Sequence, residues 1–398
     1  MSSLRATMSA LSNKHYFNYG GQGPLPSPSL KAMKASWEKV QELGPFTLNV
    51  WPYLANEIQQ TKIKLAKICG VRPERISLTE NVTSGCILPL WGLPFEAGDR
   101  ILISNCEHPG IVAACMELAR RLGLEIDTLD LEVFASLCKK PDEINDELLE
   151  SLEKSIKPKT KLIVISHILW NTGQVIPIEA IAMSLNQKPQ KPYLLVDGAQ
   201  SFGQIPLKRS AASADIYAFT GHKWACGPEG LGGVVLSERI LNEASPTFIG
   251  WRTLKNENLI QEDIGNLFHN DGRRFEIATS CIPLLAGLRS SLDLIEEECS
   301  EEVRIQQICL LSNQFWEYIN DSDCFSTILK IRPNSGLVSF TSKDNKSPAK
   351  LTSLLGKKKI WIRSLESPLC MRACFHITTT AQEIEKLIEC LTRYTNHS

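Results

Sequence analysis

The sequence lacks any apolar run that approaches the roughly 20 residues a membrane-spanning helix requires. Its first 15 residues also lack the apolar centre of a secretory signal. That segment contains serines and no acidic residue, which is typical of an organelle transit peptide and equally of a frayed terminus. We therefore expect a cytoplasmic protein that does not contact a membrane.

The sequence also has no marked excess of positive or negative charge, and its cysteines do not show the spacing of a metal site. The 43 basic and 44 acidic residues of the 398-residue chain nearly cancel, and the basic cluster at 357–359 is too short to bind nucleic acid. The 13 cysteines include no CxxC pair or zinc-finger spacing, so we expect no disulfide framework and no metal site. Most of these cysteines are expected to be small buried hydrophobes.

What the sequence does contain is a regular alternation of short apolar, β-branched runs with helical patterns. Such alternation predicts an α/β fold with a mostly parallel, seven-stranded sheet and helices on both faces. One helix is predicted from Pro109 to a stop at Gly123. The seven runs lie at 76–79, 100–104, 124–129, 161–166, 193–197, 215–219 and 232–237.

The pattern changes after about residue 285. A long helix is predicted over 284–319, then short strands near 336–342 and 370–378, and a closing helix from Ala381. We predict a large domain of residues 26–284 and a smaller α+β domain formed by residues 1–25 and 285–398.

Polar residues follow five of the predicted strands, at the sheet edge where open α/β proteins bind ligands. A polar residue at one strand end is usually a cap or turn former, but five such sites on one edge describe a pocket. That pocket has an anion cradle, a carboxylate, an imidazole and an amine. The residues are Thr83, Ser84, His108, Asn171, Asp197, Gln200, Thr220, His222 and Lys223.

These groups match the needs of a pyridoxal phosphate enzyme: a lysine for the Schiff base, a carboxylate for the pyridine nitrogen, and helix dipoles for the phosphate. A nucleotide-binding α/β protein is the alternative from spacing alone. It is disfavoured because neither GxGxxG nor GxxxxGK[ST] occurs in a strand-to-helix turn, and "GPEGLGG" at 227–233 precedes a strand. A non-catalytic protein with this fold is disfavoured because both Lys223 and Asp197 are present.

Six segments, "CEHPG", "SHILWNTGQV", "LVDGAQS", "YAFTGHKW", "GPEGLGG" and "RRFEIATS", resemble the class V aminotransferase family of fold type I pyridoxal phosphate enzymes, which includes cysteine desulfurases. The chain is most similar there to the L-cysteine/cystine carbon-sulfur lyases. The resemblance implies that Lys223 attaches the cofactor and then acts as the base at the substrate Cα, that Asp197 pairs with the pyridinium nitrogen, and that His108 stacks on the ring. It assigns Gln200 and Asn171 to the phenolic oxygen, and Thr83, Ser84, Thr220 and His222 to the phosphate.

The resemblance also implies a homodimer, because Thr279 would reach the cofactor from a second subunit. Arg372 would bind the substrate carboxylate, Arg363 would bind a second one, and Trp251 would contact the substrate. Two guanidinium groups suit cystine, which has two carboxylates.

The resemblance leaves the reaction open between a lyase and a desulfurase. A desulfurase needs a mobile loop cysteine before the carboxylate arginine, but "RSLESPLCMR" is short and has no cysteine at the family's position. Cys370 lies two residues before Arg372 on a predicted strand, which is a poor mount for a moving group. The expected activity is therefore β-elimination from L-cystine or L-cysteine to pyruvate, ammonia and a persulfide or sulfide that can supply sulfur for iron-sulfur clusters. The alternatives are a desulfurase that forms alanine, or an epimerase or transaminase of the same family.

Overall fold

The structure is a computed structural model that describes residues 3–255, 267–344 and 346–396. Its strands are β1 (His15–Tyr16), β2 (Ile76–Thr79), β3 (Arg100–Ser104), β4 (Glu125–Leu129), β5 (Thr160–Ser166), β6 (Tyr193–Asp197), β7 (Ile216–Thr220), β8 (Gly232–Leu236), β9 (Phe325–Thr327), β10 (Leu337–Ser342), β11 (Ile360–Trp361), β12 (Arg363–Glu366) and β13 (Leu369–Cys374).

Seven of these strands form one sheet in the order β2-β8-β7-β6-β5-β3-β4. Five neighbouring strands, β7, β6, β5, β3 and β4, run parallel to one another, and β8 is antiparallel to both of its neighbours, β2 and β7. The prediction of a mostly parallel, seven-stranded sheet is confirmed. Strands β5 to β8 are buried almost throughout, because helices cover both faces.

The helices are α1 (Ser3–Ala6), α2 (Ser27–Leu43), α3 (Val50–Cys69), α4 (Val82–Leu90), α5 (Pro109–Leu122), α6 (Glu132–Ala135), α7 (Pro141–Ser155), α8 (Ile178–Asn186), α9 (Lys208–Ser213), α10 (Glu238–Glu243), α11 (Ile282–Glu298), α12 (Glu301–Asn320), α13 (Pro348–Lys357) and α14 (Ala381–Asn396). The predicted helix at Pro109 is α5, and Gly123 ends it in the left-handed region with φ of +68°. No helix within the described ranges is both long and apolar enough to cross a membrane.

A second sheet, in the order β12-β13-β10-β9, lies in the C-terminal part of the chain and is antiparallel throughout. The N-terminal arm joins this part through the parallel pair of β1 and β11. Helices α12, α13 and α14 pack on it with their own hydrophobic core. Helix α11 instead places Leu285, Leu288 and Leu292 in the core of the large sheet. The boundary at residues 284/285 stays a prediction.

The prediction of one long helix is wrong. The long helix over 284–319 is two helices, because Cys299 is extended and the Ser300 hydroxyl accepts a hydrogen bond from the Val303 N–H at 3.3 Å, which caps α12. From Ser3 onward the N-terminal segment is packed rather than frayed. Leu4 is buried, and the Arg5 guanidinium bonds the Glu383 carboxylate of α14 at 2.8 Å.

Candidate active site

The residues predicted at the strand ends meet at the carboxyl edge of the large sheet. Asp197 is the last residue of β6, Lys223 follows β7, and His108 precedes α5. They enclose a cavity of about 180 Å³. Its lining consists of Asn81, Val82, Thr83, Cys86, His108, Ile111, Ser166, Ile168, Trp170, Asp197, Ala199, Gln200, His222 and Lys223.

The amine of Lys223 has an unusual electrostatic environment. Burial lowers its pKa to about 8, the carboxylate of Asp197 opposes that shift, and the guanidinium groups of Arg372 and Arg363 add to it. A larger share of this amine is therefore neutral near pH 7 than of an ordinary lysine. A neutral amine is the form that attacks a carbonyl carbon.

Asp197 is a buried carboxylate at the centre of the sheet edge. One of its oxygens accepts a hydrogen bond from the Ala199 backbone N–H at 2.8 Å. Strands β5 and β7 flank it, with Ser166 and Ala218 as its register partners. This position fixes the carboxylate on the cavity wall close enough to Lys223 to raise the pKa of the amine.

A second buried carboxyl group, Glu107, was missed in the sequence although it directly precedes His108. It accepts hydrogen bonds from the Ser166 backbone N–H at 2.8 Å, from the Ser166 hydroxyl at 2.6 Å and from the Ser104 hydroxyl at 2.5 Å. Burial raises its pKa to about 7, and the charge of Asp197 acts in the same direction. Glu107 therefore orients Ser166, which lines the cavity, and its signal in the sequence was an acidic residue at a strand end.

The first turn of α4 points into the cavity and offers backbone N–H groups that have no intrahelical acceptor. Thr83 lines the cavity, whereas the Ser84 N–H is already bonded to the Asn81 side chain at 3.0 Å. A Cβ at Gly232 would lie 3.1 Å from Asn81 and 2.4 Å from the carbonyl oxygen of Phe219, so only glycine lets α4 begin this close to the sheet.

Two further predicted phosphate ligands, Thr220 and His222, bond to each other through Oγ1 and Nδ1 at 2.7 Å. His222 lines the cavity, and Thr220 is fully buried behind it. Thr220 therefore orients the imidazole of His222.

His108 lies at the mouth of the cavity and caps α5, where its Nδ1 accepts a hydrogen bond from the Gly110 N–H at 3.2 Å. The ring of Trp170 contacts it edge to face, with centroids 5.9 Å apart. Trp170 lines the cavity and was missed in the sequence, whereas the neighbouring Asn171 is buried and is not part of the lining. Only the three-dimensional course of the loop after β5 distinguishes these adjacent residues.

Gln200 lines the cavity while its amide group is held by protein. Its carbonyl oxygen accepts from the Trp224 indole N–H at 2.9 Å, and its Nε2 donates to the Gly20 carbonyl at 3.0 Å. One N–H of Gln200 remains for a ligand.

Arg372 is buried to 1% exposure, and most of its donors are unused. Its Nη1 donates to the Trp170 carbonyl at 2.6 Å, but Nε and Nη2 have no partner among the described residues. An unpaired buried guanidinium is costly, so this arrangement indicates a site for an anionic ligand.

Arg363 lies directly opposite Arg372 in the register of β12 and β13, which puts both side chains on one face of the hairpin. Arg363 is exposed and forms no ion pair with any residue that the structure describes. Two cross-strand guanidinium groups repel each other unless an anion binds them. Partial desolvation of its side chain lowers the pKa of Arg363, and the charge of Arg372 lowers it further.

Cys370 is fully buried on β13, opposite Leu365, and burial raises its pKa to about 11. The strands of this hairpin are joined through Ser367 and Pro368 alone. All 13 cysteines lie in the described ranges and are free, and eight of them are buried. The hairpin therefore carries a fixed thiol and no long loop.

Seven of the predicted site residues are not part of the cavity lining in this single chain: Ser84, Asn171, Thr220, Trp251, Thr279, Arg363 and Arg372. Of these, Trp251 and Thr279 line a separate groove of about 320 Å³ together with Phe46 and Trp51, which we call the aromatic groove. Phe46 is 85% exposed and Trp251 is 46% exposed.

The fold and the cavity define a family. The model of the aminotransferase class-V family matches residues 26–387, so the chain belongs to the class V aminotransferases. The resemblance seen in the sequence is confirmed.

Individual relatives differ in activity. Isopenicillin N epimerase of Streptomyces clavuligerus is 31% identical over 235 residues, which cover 59% of this chain and only 56% of that enzyme. A probable cysteine desulfurase of Pyrococcus abyssi is 23% identical over 388 residues, or 94% of this chain and 92% of that protein.

Among solved structures, the complex of the cystine C-S lyase C-DES with its reaction product cysteine persulfide is similar to this chain at 37% identity and a TM-score of 0.89. The match covers 96% of this chain and 98% of that one. A lysine-to-alanine mutant of C-DES with glycine covalently linked to the PLP cofactor matches with a TM-score of 0.90 and the same identity, over 97% of this chain and 98% of that one.

Proposed function

We propose that the cavity binds pyridoxal phosphate. The fit rests on the lowered pKa of the Lys223 amine, the open first turn of α4 beside Thr83, and the buried, unpartnered Nε1 of Trp170 and Oδ1 of Asn171. Lys223 would hold the cofactor covalently, Asp197 would face its ring nitrogen, and His108 would cover its ring. The phosphate would be held by Thr83 and His222, which line the cavity, with Ser84 and Thr220 supporting them from behind its wall. The phenolic oxygen would be held by Gln200, with Asn171 behind the wall on that side.

The residues around the cavity support proton transfer at an amino-acid Cα. Pyridoxal phosphate, when bound, supplies an electron sink for the bonds at that carbon. Lys223 is the base, because its lowered pKa leaves a larger share of the amine neutral near pH 7 than in an ordinary lysine, and the neutral amine can accept the proton. Arg372 binds the α-carboxylate through its unused Nε and Nη2 and so fixes the Cα–H bond relative to the lysine.

The proposed reaction is β-elimination from L-cystine. The Cα–H proton goes to Lys223, the Cβ–S bond breaks, and its electron pair leaves with the sulfur as cysteine persulfide. Water hydrolyses the remaining three-carbon enamine to pyruvate and ammonia. A persulfide anion is a weaker base than a thiolate, so a disulfide substrate is favoured over a thioether.

The observation that carries this proposal is the cross-strand pair of Arg363 and Arg372, two guanidinium groups that have no acidic partner among the described residues and lie close enough to Lys223 to lower the pKa of its amine. Each guanidinium group would bind one of the two carboxylates of L-cystine. The similarity to a cystine C-S lyase over almost the whole chain supports the same assignment.

A cysteine desulfurase is the alternative, with alanine as its product. It requires a mobile nucleophilic thiol near the substrate sulfur. The buried Cys370, with a pKa raised to about 11, is a poor candidate. Epimerisation, the activity of the Streptomyces relative, would need no loss of sulfur at all.

The test is a product assay on the purified enzyme with L-cystine and with L-cysteine. We expect pyruvate and ammonia in equal amounts from L-cystine, with Cys370→Ser as active as the wild type and Lys223→Ala inactive. Alanine from L-cysteine that disappears in Cys370→Ser would replace the lyase by a desulfurase. Loss of optical activity without pyruvate would indicate an epimerase.

Further proposals concern partners and setting. We propose a cytoplasmic homodimer in which Thr279 and Trp251 of the aromatic groove complete the active site of the second subunit. This placement accounts for their distance from the cavity of their own chain. The persulfide product would pass to a sulfur acceptor and could supply iron-sulfur clusters.

A further inference from the structure

The guanidinium of Arg372 is confined by the N-terminal arm as well as by its own strand. The backbone of Gly20 passes so close that a Cβ built there would lie 2.8 Å from Nη2 of Arg372 and 3.0 Å from its Cζ. Real Cβ contacts of this kind are not observed without a shift of one partner. The missing side chain of Gly20 is therefore the space that Arg372 occupies.

The arm cannot easily move away from the guanidinium. The Gly20 carbonyl accepts a hydrogen bond from Gln200 at 3.0 Å, and Gln200 is in turn fixed by the Trp224 indole. The preceding residue, Tyr19, stacks on His376 with ring centroids 4.5 Å apart, and its hydroxyl bonds Thr378 at 2.6 Å. An added methyl group at Gly20 would press on the end of Arg372 and also lie 3.0 Å from Sγ of Cys374. The closest contact is with the guanidinium, which ends a long side chain, so Arg372 would be displaced rather than the backbone.

On its other side the guanidinium is held at Nη1 by the Trp170 carbonyl at 2.6 Å. This contact and the backbone of Gly20 leave the guanidinium little freedom. Its Nε and Nη2 are then held in fixed directions, and no acceptor among the residues that the structure describes competes for them. Two N–H groups in fixed directions are what recognises a carboxylate by two parallel hydrogen bonds.

We propose that Gly20 is a positioning residue that aims the Arg372 guanidinium and thereby sets the affinity of the site for the α-carboxylate of amino acids. This inference rests on the proposed function of Arg372. It adds that the N-terminal arm, which contributes no charged group at this point, determines how well that arginine works.

The test compares equilibrium binding of glycine and methylamine to the holoenzyme, followed by the absorbance change of the bound cofactor. The two ligands differ only by the carboxylate, and glycine has no group to eliminate. We expect Gly20→Ala to weaken glycine binding by roughly ten- to a hundredfold, as for a lost hydrogen bond to a charged group, and to change methylamine binding less than about twofold.

Gly21→Ala is the matched control, because its Cβ would also approach the end of a flexible polar side chain, Asn18, at 2.8 Å. We expect it to bind glycine as the wild type does. A thermal melt of each variant checks that the fold is intact.

A double-mutant comparison keeps the test decisive if Gly20→Ala is poorly stable. Lysine has no Nη2, so in an Arg372→Lys background the Gly20→Ala change should weaken glycine binding no further. An added loss in that background would overturn the inference.

The outcomes separate the inference from the function on which it rests. Glycine affinity that falls in Arg372→Lys but is unchanged in Gly20→Ala would overturn the role of Gly20 alone. A wild type that binds glycine no better than methylamine would overturn the proposed role of Arg372 itself.

Discussion

At the scale of single residues, Lys223 shows how position determines reactivity. A lysine next to a buried strand loses part of its hydration, which disfavours the ammonium form. Arg372 and Arg363 add repulsion, and Asp197 offsets part of it. The resulting pKa of about 8 is a balance that substitution of a neighbour should move in a definite direction.

The pH dependence of cofactor attachment tests this balance. With the pKa of Lys223 near 8, the rate at which the apoprotein takes up pyridoxal phosphate should rise roughly tenfold between pH 7 and pH 9 and then level off, because the neutral amine is the nucleophile. Arg372→Gln removes a charge that lowers this pKa, so the midpoint should move to higher pH. Stopped-flow absorbance measures both, and a midpoint unmoved in Arg372→Gln would contradict the assignment.

Some residues of the candidate site could be predicted from the sequence and others could not, and the difference has a physical reason. Asp197, Lys223 and His108 lie at strand ends, and the strand pattern is a local property that short runs of β-branched residues reveal. The contacts of Gly20, Trp170 and Glu107 depend on how distant segments approach one another. Gly20 meets Arg372 more than 350 residues later in the chain, and no local pattern reports such a contact.

At the scale of elements, the hairpin of β12 and β13 carries both arginines that we propose to bind the substrate. Its short turn keeps Arg363 opposite Arg372, and the antiparallel register places both on one face. The same rigidity fixes Cys370 in the strand. A hairpin of this kind favours binding of a substrate with two carboxylates over delivery of a mobile thiol.

Substrates with one and two carboxylates test the pair of arginines. Arg363→Gln should raise the KM for L-cystine roughly tenfold but change that for β-chloro-L-alanine, which has a single carboxylate, by less than about twofold. Arg372→Gln should raise the KM for both substrates. Steady-state kinetics with both compounds measures this, with Arg332→Gln, a surface arginine paired to Glu317, as the control. An equal loss for both substrates in Arg363→Gln would exclude a dedicated second carboxylate site.

The elements themselves were predictable to different degrees. The seven strands of the large sheet and helix α5 fall within about a residue of their predicted bounds. Short runs of apolar, β-branched residues are a strong signal for buried strands, and a proline at the start with a glycine at the end is a strong signal for a helix. The break between α11 and α12 was missed although Ser300 followed by Glu301 and Glu302 is an N-cap signature. Strands β1, β9, β11 and β12 were missed because two to four residues are too few to show an alternation.

At the scale of the whole molecule, the N-terminal arm links the parts of the chain. Its first helix bonds α11 and α14 through Ser3 and Arg5, its strand β1 pairs with β11, and Gly20 then passes the active site. The arm therefore contacts helices that pack on each of the two sheets, and it does so before the chain enters the first strand of the large sheet. The assignment of this arm to the smaller domain, made from the sequence, stays a prediction.

The molecule also presents a surface that a lone chain leaves uncovered. Phe46, Trp51 and Trp251 form a run of ring contacts with centroids 5.2 and 6.4 Å apart, and Leu48 beside them is 89% exposed. Contiguous exposed aromatics of this kind mark protein interaction sites. Thr279, the proposed partner-subunit ligand, lines the same groove.

Replacing Phe46 by aspartate tests the proposed homodimer and its effect on catalysis together. Phe46 has a φ of +64°, a backbone conformation that aspartate adopts more readily, so Phe46→Asp should fold. Its charge opposes burial of the aromatic groove. Sedimentation velocity should show the wild type as a dimer and Phe46→Asp shifted to the monomer. Pyruvate formation should fall at least about tenfold, because Thr279 and Trp251 could then no longer reach a second active site.

The matched control is Leu310→Asp, which replaces another exposed apolar residue, on α12, outside the aromatic groove. We expect it to remain dimeric and fully active. A Phe46→Asp monomer with undiminished activity would show that one chain holds a complete active site. Thr279 would then lose its proposed role, whereas the assignments of Lys223, Asp197 and Arg372 would stand, because all three are supplied by the same chain.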